Sequence, residues 1–315
     1  MGAASRPWSD TSLAVERRDD RQGVPAQSES RQSVVDVGSL SDVLRLDPDS
    51  GIWHAHIAGQ TSYPADHNAA CFLIENDSFW FDHRNRCITA AVRRFPPGGF
   101  ILDVGGGNGY VARGLMDAGY ETVLLEPGTE GAANAKQRRQ LPTVINATLD
   151  EARVRAGSIP NIGLFDVLEH IEDDRTFVGQ LFELVRPGGF LYLTVPAFSW
   201  LWSMSDVDAM HYRRYSRRSL DAVLAGRFDV LYSTYLFQRL LPVSFLIRTL
   251  PYAAGLARPK PASAYQADHA TGRRRLADAL NRLLEHEVSA IAAGNSLRVG
   301  SSLLVVARRA GGDAT

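Results

Sequence analysis

The sequence predicts an α/β fold built on a mostly parallel sheet, and three observations lead there. Short apolar runs alternate with helical patterns from Phe100 to Ala307, the rhythm of strands joined by crossover helices. Four glycines, Gly105, Gly106, Gly107 and Gly109, separate one such run from a helical pattern starting near Tyr110. With 315 residues the chain is long enough for one large domain with appendages.

Residues 1–34 are rich in Ser, Arg, Asp, Gln and Gly and hold few large apolar side chains. Such a segment buries too little surface to offset its ordering entropy, so a disordered tail is expected. Residues 35–98 form a leader with β-like runs at Ile52–Ile57 and Ala70–Ile74. A helix follows from Ser78 to about Arg94, stopped by Pro96-Pro97. Either it covers the sheet edge, or Trp80, Phe81, His83, Arg84 and Asn85 roof a ligand pocket; both readings stand. His67 and Cys71, with His83 and Cys87, make two His-x₃-Cys pairs. No CxxC accompanies them, so packing is favoured over zinc and no metal is expected.

Phe100–Val104 is apolar except for Asp103 and reads as a buried strand. The glycines after it permit positive φ and close approach of the backbone to a ligand. Thr122–Leu125 is the second strand, closed by Glu126-Pro127. A carboxylate at that tip can accept both hydroxyls of a ribose, so the parts describe a nucleoside site. Gly107-x-Gly109-x-x-Ala112 with Glu126 beyond it also passes as a dinucleotide fingerprint. Asp103 leans the other way, because an acid beside the loop suits an ammonium and disfavours a pyrophosphate.

Thr143–Ala147 is the third strand and Asn161–Val167 the fourth, leading into Leu168-Glu169-His170-Ile171-Glu172-Asp173-Asp174. Acids suit the start of the helix over Arg175–Val185. Arg186-Pro187-Gly188-Gly189 ends it, and Phe190–Val195 is the fifth strand. Asp103-x-Gly105-x-Gly107-x-Gly109, then DVLEHIEDD, then LVRPGGFLYLTVP, resemble in order the motifs of class I S-adenosylmethionine methyltransferases of the ubiquinone/menaquinone-biosynthesis type. The resemblance runs from about Phe79 to Ser219.

That resemblance implies a Rossmann-like seven-stranded sheet and S-adenosylmethionine as cofactor, leaving S-adenosylhomocysteine. Asp103 and the backbone of Gly105, Gly107 and Gly109 would hold the methionine moiety. Glu126 would take the ribose hydroxyls, and Thr148 and Leu149 would meet the adenine. Phe165 and Asp166 would line the methionine side, under a roof that includes Trp80 and Arg84. His170 would stand near the methyl acceptor as a base; the alternative is a helix-start histidine bonded to Glu169 or Glu172.

Pro196–Tyr215 leaves the fifth strand at the sheet edge where open α/β sheets bind ligands. It carries Trp200, Trp202, Met204 and Met210 beside Asp206, Asp208, His211, Tyr212, Arg213 and Tyr215. Apolar walls with a few polar groups suit an acceptor pocket, with Trp200, Trp202, Tyr212, Arg213 and Tyr215 as contacts and His211 as a second candidate base. The plainer reading pairs Arg213 and Arg214 with Asp206 and Asp208 as a clasp. Phe228–Tyr235 is the sixth strand, and Ser301–Ala307 closes the sheet as the seventh. Between them, residues 236–298 form a helical insertion opening with apolar Leu236–Tyr252. Arg239, Pro242, Arg248 and Pro251 interrupt that run, so no membrane span is expected. A lid, a homodimer face and a peripheral membrane contact through residues 236–256 all remain open.

The expected organisation is a tail (1–34), a leader with a β-containing part (35–98), a cofactor-binding core (99–235), the insertion (236–298) and a closing strand (299–310). The expected function is methyl transfer to a small-molecule acceptor, with a hydroxyl favoured, as in secondary metabolism or glycan assembly. Alternatives are C- or N-methylation of an electron-rich aromatic and, more distantly, an NAD-binding oxidoreductase or a non-catalytic cofactor binder. A net charge of −1 offers no electrostatic footprint for nucleic acid. Two cysteines, Cys71 and Cys87, suit a reduced cytoplasmic location better than a disulfide framework.

Overall fold

The computed structural model describes residues 35–55, 72, 75–76, 78–257 and 274–311. The expected tail, most of the Ala70–Ile74 run, His67 and Cys71 lie outside the described residues. Nine strands form one sheet among the described residues: β1 (Leu44–Leu46), β2 (Trp53–Ala55), β3 (Ile101–Val104), β4 (Thr122–Leu125), β5 (Val144–Asn146), β6 (Ile159–Phe165), β7 (Val185–Pro196), β8 (Phe228–Leu236) and β9 (Ser302–Arg309). Their order is β1-β2-β5-β4-β3-β6-β7-β9-β8. Strands β2 to β7 run parallel. β9 inserts antiparallel between β7 and β8, and β1 pairs antiparallel with β2.

Every residue of β3, β4 and β6 is buried, as expected of parallel strands covered on both faces. Alternation sorts β3 between two cores. Leu102 and Val104 pack with Val123, Leu125 and Leu164 on one face. Ile101 joins Cys87, Ile88, Val111 and Leu115 on the other. Asp103 therefore shares the Ile101 face. From β3 the chain winds one way into β4 and β5 and the other way into β6 and β7. The crevice beyond the C-terminal end of β3 is thus the topological switch point, where open sheets hold ligands.

Local boundaries differ from the sequence expectation in physical detail. The leader's short hairpin adds β1 and β2 to the sheet edge by pairing β2 with β5. The helix expected over Thr129–Arg139 divides into Thr129–Ala133 and a wider π-type turn over Asn134–Arg138. β7 starts at Val185, before Gly188, whose φ of +77° marks an irregularity there.

Ser78 caps the helix Phe79–Arg94 by accepting from the Trp80 amide at 3.3 Å. Against it lies the helix Arg274–Ala292, which buries Leu284, Glu287 and Ile291 from one face. His83 Nε2 is 2.8 Å from Glu287 Oε2, and both side chains are fully buried. Glu287 also accepts from the Phe237 and Gln238 amides at 2.7 and 2.8 Å. It thereby holds Phe237 in a left-handed turn, φ +62°, where β8 hands over to the insertion. The insertion is helical through Gln238–Leu240, Leu241–Ser244, Phe245–Thr249 and Leu250–Ala253. No helix among the described residues is long and apolar enough to cross a membrane.

Candidate active site

The β3 tip bends into the glycine loop through three positive φ angles, Gly105 at +68°, Gly107 at +55° and Gly109 at +74°. Gly106 is required for a second reason. A Cβ there would lie 2.5 Å from Asp103 Oδ2 and 2.4 Å from Leu124 Cδ1. The loop consequently rests on Asp103, which is fully buried and has no hydrogen-bond partner of normal geometry on either carboxylate oxygen. Burial pushes the Asp103 carboxyl up to about 7, partly offset by Arg84 and reinforced by Glu126.

Glu126 follows β4 and fastens the loop from the other side. Its carboxylate accepts from the Gly107 amide at 2.8 Å and the Gly128 amide at 2.7 Å. Asn146, at the end of β5, donates to the Glu126 and Pro127 carbonyls at 2.9 and 3.0 Å. Asn108 in the loop accepts from Asn134 at 3.0 Å and donates to Glu75 at 3.1 Å, and Glu75 in turn pairs with Arg139 at 2.8 Å.

Phe165 ends β6 and packs in the same core as Ile101. Asp166 follows in a left-handed conformation, φ +57°, that a non-glycine residue holds only under constraint. Two partners supply it: Thr194 Oγ1 donates to Asp166 at 3.1 Å, and Arg84 forms an ion pair with its other oxygen. Arg84 is buried, lies 4.7 Å from the Trp80 ring centroid and 5.4 Å from that of Phe81, and is pulled down to about 10 by desolvation. Trp80 stacks on Phe237 at 5.4 Å, tying this roof to the insertion.

Beyond Asp166 the chain forms the turn Leu168–His170, and the loop after β7 folds back onto it. The Tyr212 amide donates to the Glu169 carbonyl at 2.8 Å. The His170 and His211 rings meet edge to face with centroids 4.8 Å apart. Asp206, buried behind them, accepts from His211 Nδ1 at 2.9 Å and Arg214 Nε at 2.7 Å on one oxygen. Its other oxygen accepts from the Ser203 amide and hydroxyl at 2.9 and 3.0 Å. Burial alone would raise Asp206, but the bonds from His211 and Arg214 outweigh it and hold the carboxyl down to about 2. Glu169 is also buried, with no hydrogen bond at its Oε2, and desolvation outweighs the nearby Arg84 and Arg214 and pushes it up to about 8. One donor atom each from Glu169, His170 and His211 lies within 4.8 Å of the other two.

A glycine cradle over a buried acid, a carboxylate at the second strand tip and a histidine turn after β6 thus converge at the switch point. Residues 74–227 match the family model described as a methyltransferase domain. That match covers just under half of the chain. A probable S-adenosylmethionine-dependent methyltransferase of Mycolicibacterium smegmatis is 24% identical over 151 residues, covering 48% of this chain and 55% of that protein. A ubiquinone biosynthesis O-methyltransferase of Cronobacter sakazakii is 29% identical over 112 residues, 33% of this chain and 46% of that protein. The chain spans about half the length of the curated relatives it matches. The fold is similar to that of phosphoethanolamine N-methyltransferase 2 of Haemonchus contortus, solved with S-adenosyl-L-methionine. That likeness has a TM-score of 0.50 at 16% identity and covers 80% of this chain and 58% of the other.

Within residues 74–227 several predicted side chains have partners inside the protein. Thr148 caps the helix Leu149–Ala152: its hydroxyl accepts from the Glu151 amide at 3.2 Å, and the Glu151 carboxylate accepts from the Thr148 amide at 2.8 Å. Leu149 packs against the core. Tyr215 is buried, its hydroxyl donating to Asp174 at 2.9 Å. Arg213 reaches the same Asp174 at 2.8 Å and the Glu172 carbonyl at 2.6 Å, so its guanidinium braces the start of the following helix. The expected clasp is half right: Arg214 pairs with Asp206, whereas Arg213 pairs with Asp174. Trp200 and Tyr212 stay more than half exposed, and Trp200 stacks on Phe198 at 5.6 Å. Sequence reasoning missed the Asp206–His211 pair, the buried Glu169 and the Arg84–Asp166 ion pair. Five-residue spacing in a loop signals nothing, and Arg84 and Asp166 belong to different elements.

Proposed function

We propose that this chain transfers the methyl group of S-adenosylmethionine to a hydroxyl of a small-molecule acceptor. One observation carries the reading. Asp103 is a fully buried acid under a glycine cradle with no side-chain hydrogen-bond partner, and the buried Arg84 beside it is shared with Glu75, Asp166 and Glu169. That surplus of carboxylate suits a ligand carrying an ammonium and a sulfonium and opposes a pyrophosphate. The residues present therefore fit S-adenosylmethionine better than a dinucleotide.

When bound, that cofactor supplies a methyl group already activated by positive sulfur. The chain's part is positioning, desolvation and proton handling. Asp103 and the amides of the glycine loop would hold the methionine end, with Asp166 and Arg84 beside it. Glu126, whose orientation is set by Gly107 and Gly128, would accept the ribose hydroxyls. Trp80 and Phe165 would exclude water.

His211 is the base in this reading. Asp206 is ionised and can only accept, so His211 Nδ1 donates to it and Nε2 carries the lone pair. That nitrogen would take the acceptor proton as the oxygen–methyl bond forms, and Asp206 would stabilise the resulting imidazolium. His170, edge-on to the same ring, would limit its rotation. Exposed Trp200 and Tyr212 flank this region and suit an apolar, aromatic acceptor. The likeness to a ubiquinone biosynthesis O-methyltransferase supports oxygen as the nucleophile.

The test is calorimetric titration of the full chain with S-adenosylhomocysteine, with NAD run alongside. Binding of the first and silence from the second is the expected result. Glu126→Ala should weaken it roughly 5- to 150-fold, the loss of about 1–3 kcal/mol of buried hydrogen bonding. Heat with NAD alone would overturn the reading.

A further inference from the structure

The insertion wears its apolar side outward. Val243, Leu246, Ile247 and Leu250 recur at helical spacing along its outer face, and with Leu256 they are between 48% and 76% exposed. Its inner side is already occupied: Thr249 is buried and donates to the Leu201 carbonyl at 3.2 Å, and Phe245 meets Trp200 at 5.9 Å. The exposed surface continues through Trp200, Val207 and Met210 towards Tyr212 beside the histidine pair. A soluble surface rarely leaves so many adjacent large apolar side chains in water.

Charge decides what covers this face. From Val230 to Ala267 the sequence contains no Asp or Glu, while exposed Arg239 precedes the stripe and half-buried Arg248 falls between Ile247 and Leu250. A second copy meeting it about a twofold axis would set this segment against itself, arginines facing arginines with no acid of its own to neutralise them. An anionic lipid surface meets both needs, receiving aliphatic side chains between its acyl chains and arginines at its phosphates. The exposed Trp200 and Tyr212 are residues that favour such an interface.

We propose that the outer face of residues 238–256 lies on an anionic lipid bilayer, in the plane of the surface and not across it. The loop holding Trp200, Met210 and Tyr212 then faces the bilayer too, and with it the side of the domain that carries His211. This docking does not depend on which ligand the glycine cradle holds.

The experiment is flotation of the full chain with phosphatidylcholine vesicles, with and without an equal share of phosphatidylglycerol. Leu246→Glu with Ile247→Glu tests the stripe, and Arg239→Gln with Arg248→Gln tests the charge. All three proteins are checked for fold by their thermal shift with S-adenosylhomocysteine. The wild type should float with the anionic vesicles only, and less so as salt is raised. The glutamate pair should lower binding at least about tenfold, and the glutamine pair by a smaller factor. Three results would overturn the proposal: a wild type that floats with neither vesicle, flotation indifferent to the glutamate pair, or a solution dimer that this pair splits while vesicles are ignored. Failure of every protein to shift with S-adenosylhomocysteine would count against the cofactor reading alone, and flotation would still decide this one.

Discussion

Asp206 stands 2.9 Å from His211 Nδ1 with its carboxylate wholly buried, and Arg214 and Ser203 complete its hydrogen bonds. In the proposed reading the pair is a base and its orienting acid, with one ring nitrogen engaged from within and the other taking the acceptor proton. Asp206→Asn keeps the shape but can turn an amide N–H towards Nδ1, favouring the wrong tautomer. Methyl transfer to a phenolic acceptor should fall on the order of 10²-fold or more, while affinity for S-adenosylhomocysteine stays within about twofold. Equal losses in both would mean that Asp206 only supports the loop.

If Asp103 holds the methionine end as proposed, ligand affinity depends on pH. Its folded value near 7 means that the ligand's ammonium meets a neutral acid below that pH and a carboxylate above it. Binding of S-adenosylhomocysteine should therefore strengthen as pH rises from 6 to 8, roughly as the fraction of ionised Asp103. Stability of the ligand-free protein moves the other way. The folded value is raised above the roughly 3.9 of an unfolded aspartate, so between those values the folded state holds a proton that the unfolded state has released. Stability then falls as pH climbs through this window, and Glu169, raised to about 8, adds to the slope. Asp103→Asn should flatten both profiles in calorimetric titrations and thermal melts; an unchanged slope would remove Asp103 as their cause.

Glu287 is the most heavily committed acid in the helical layer. Glu287→Ala would leave two backbone amides and His83 without their acceptor in a dry environment. The expected loss is about 3–5 kcal/mol in urea unfolding, as for a broken buried pair. Glu287→Gln, which keeps one acceptor oxygen, should cost less. A cost under 1 kcal/mol for the alanine variant would contradict this account.

Tyr215→Phe separates a structural hydroxyl from an acceptor contact. The substitution removes one donor to Asp174 and leaves Arg213 in place. Unfolding should lose about 1 kcal/mol, with KM for the acceptor unchanged. A raised KM at unchanged stability would restore Tyr215 to the acceptor pocket.

What was legible in the sequence was whatever its neighbours along the chain decide. Gly105, Gly107 and Gly109 announce a turn because positive φ is a local demand, and Glu126 announces itself by ending an apolar run. The capping role of Thr148 was legible, since Glu151 three residues on completes a capping box. Tyr215 and Arg213 read as polar lining because their partner Asp174 lies on another element, brought near only when the loop after β7 folds back. His83 and Glu287 are 204 residues apart, and no local pattern links them. The position of β9 between β7 and β8 is likewise a long-range fact, decided by hydrogen bonds that span the whole core.

His83 and Arg84 are consecutive residues of one helix with separate obligations. His83 grips Glu287, which holds the bend where β8 enters the insertion; Arg84 grips Asp166 at the sheet's ligand crevice. Neighbouring side chains on a helix cannot swing independently of its axis. A turn of that axis large enough to release one grip would pull on the other, so the outward-facing insertion and the ligand crevice hang from a single beam rather than from two.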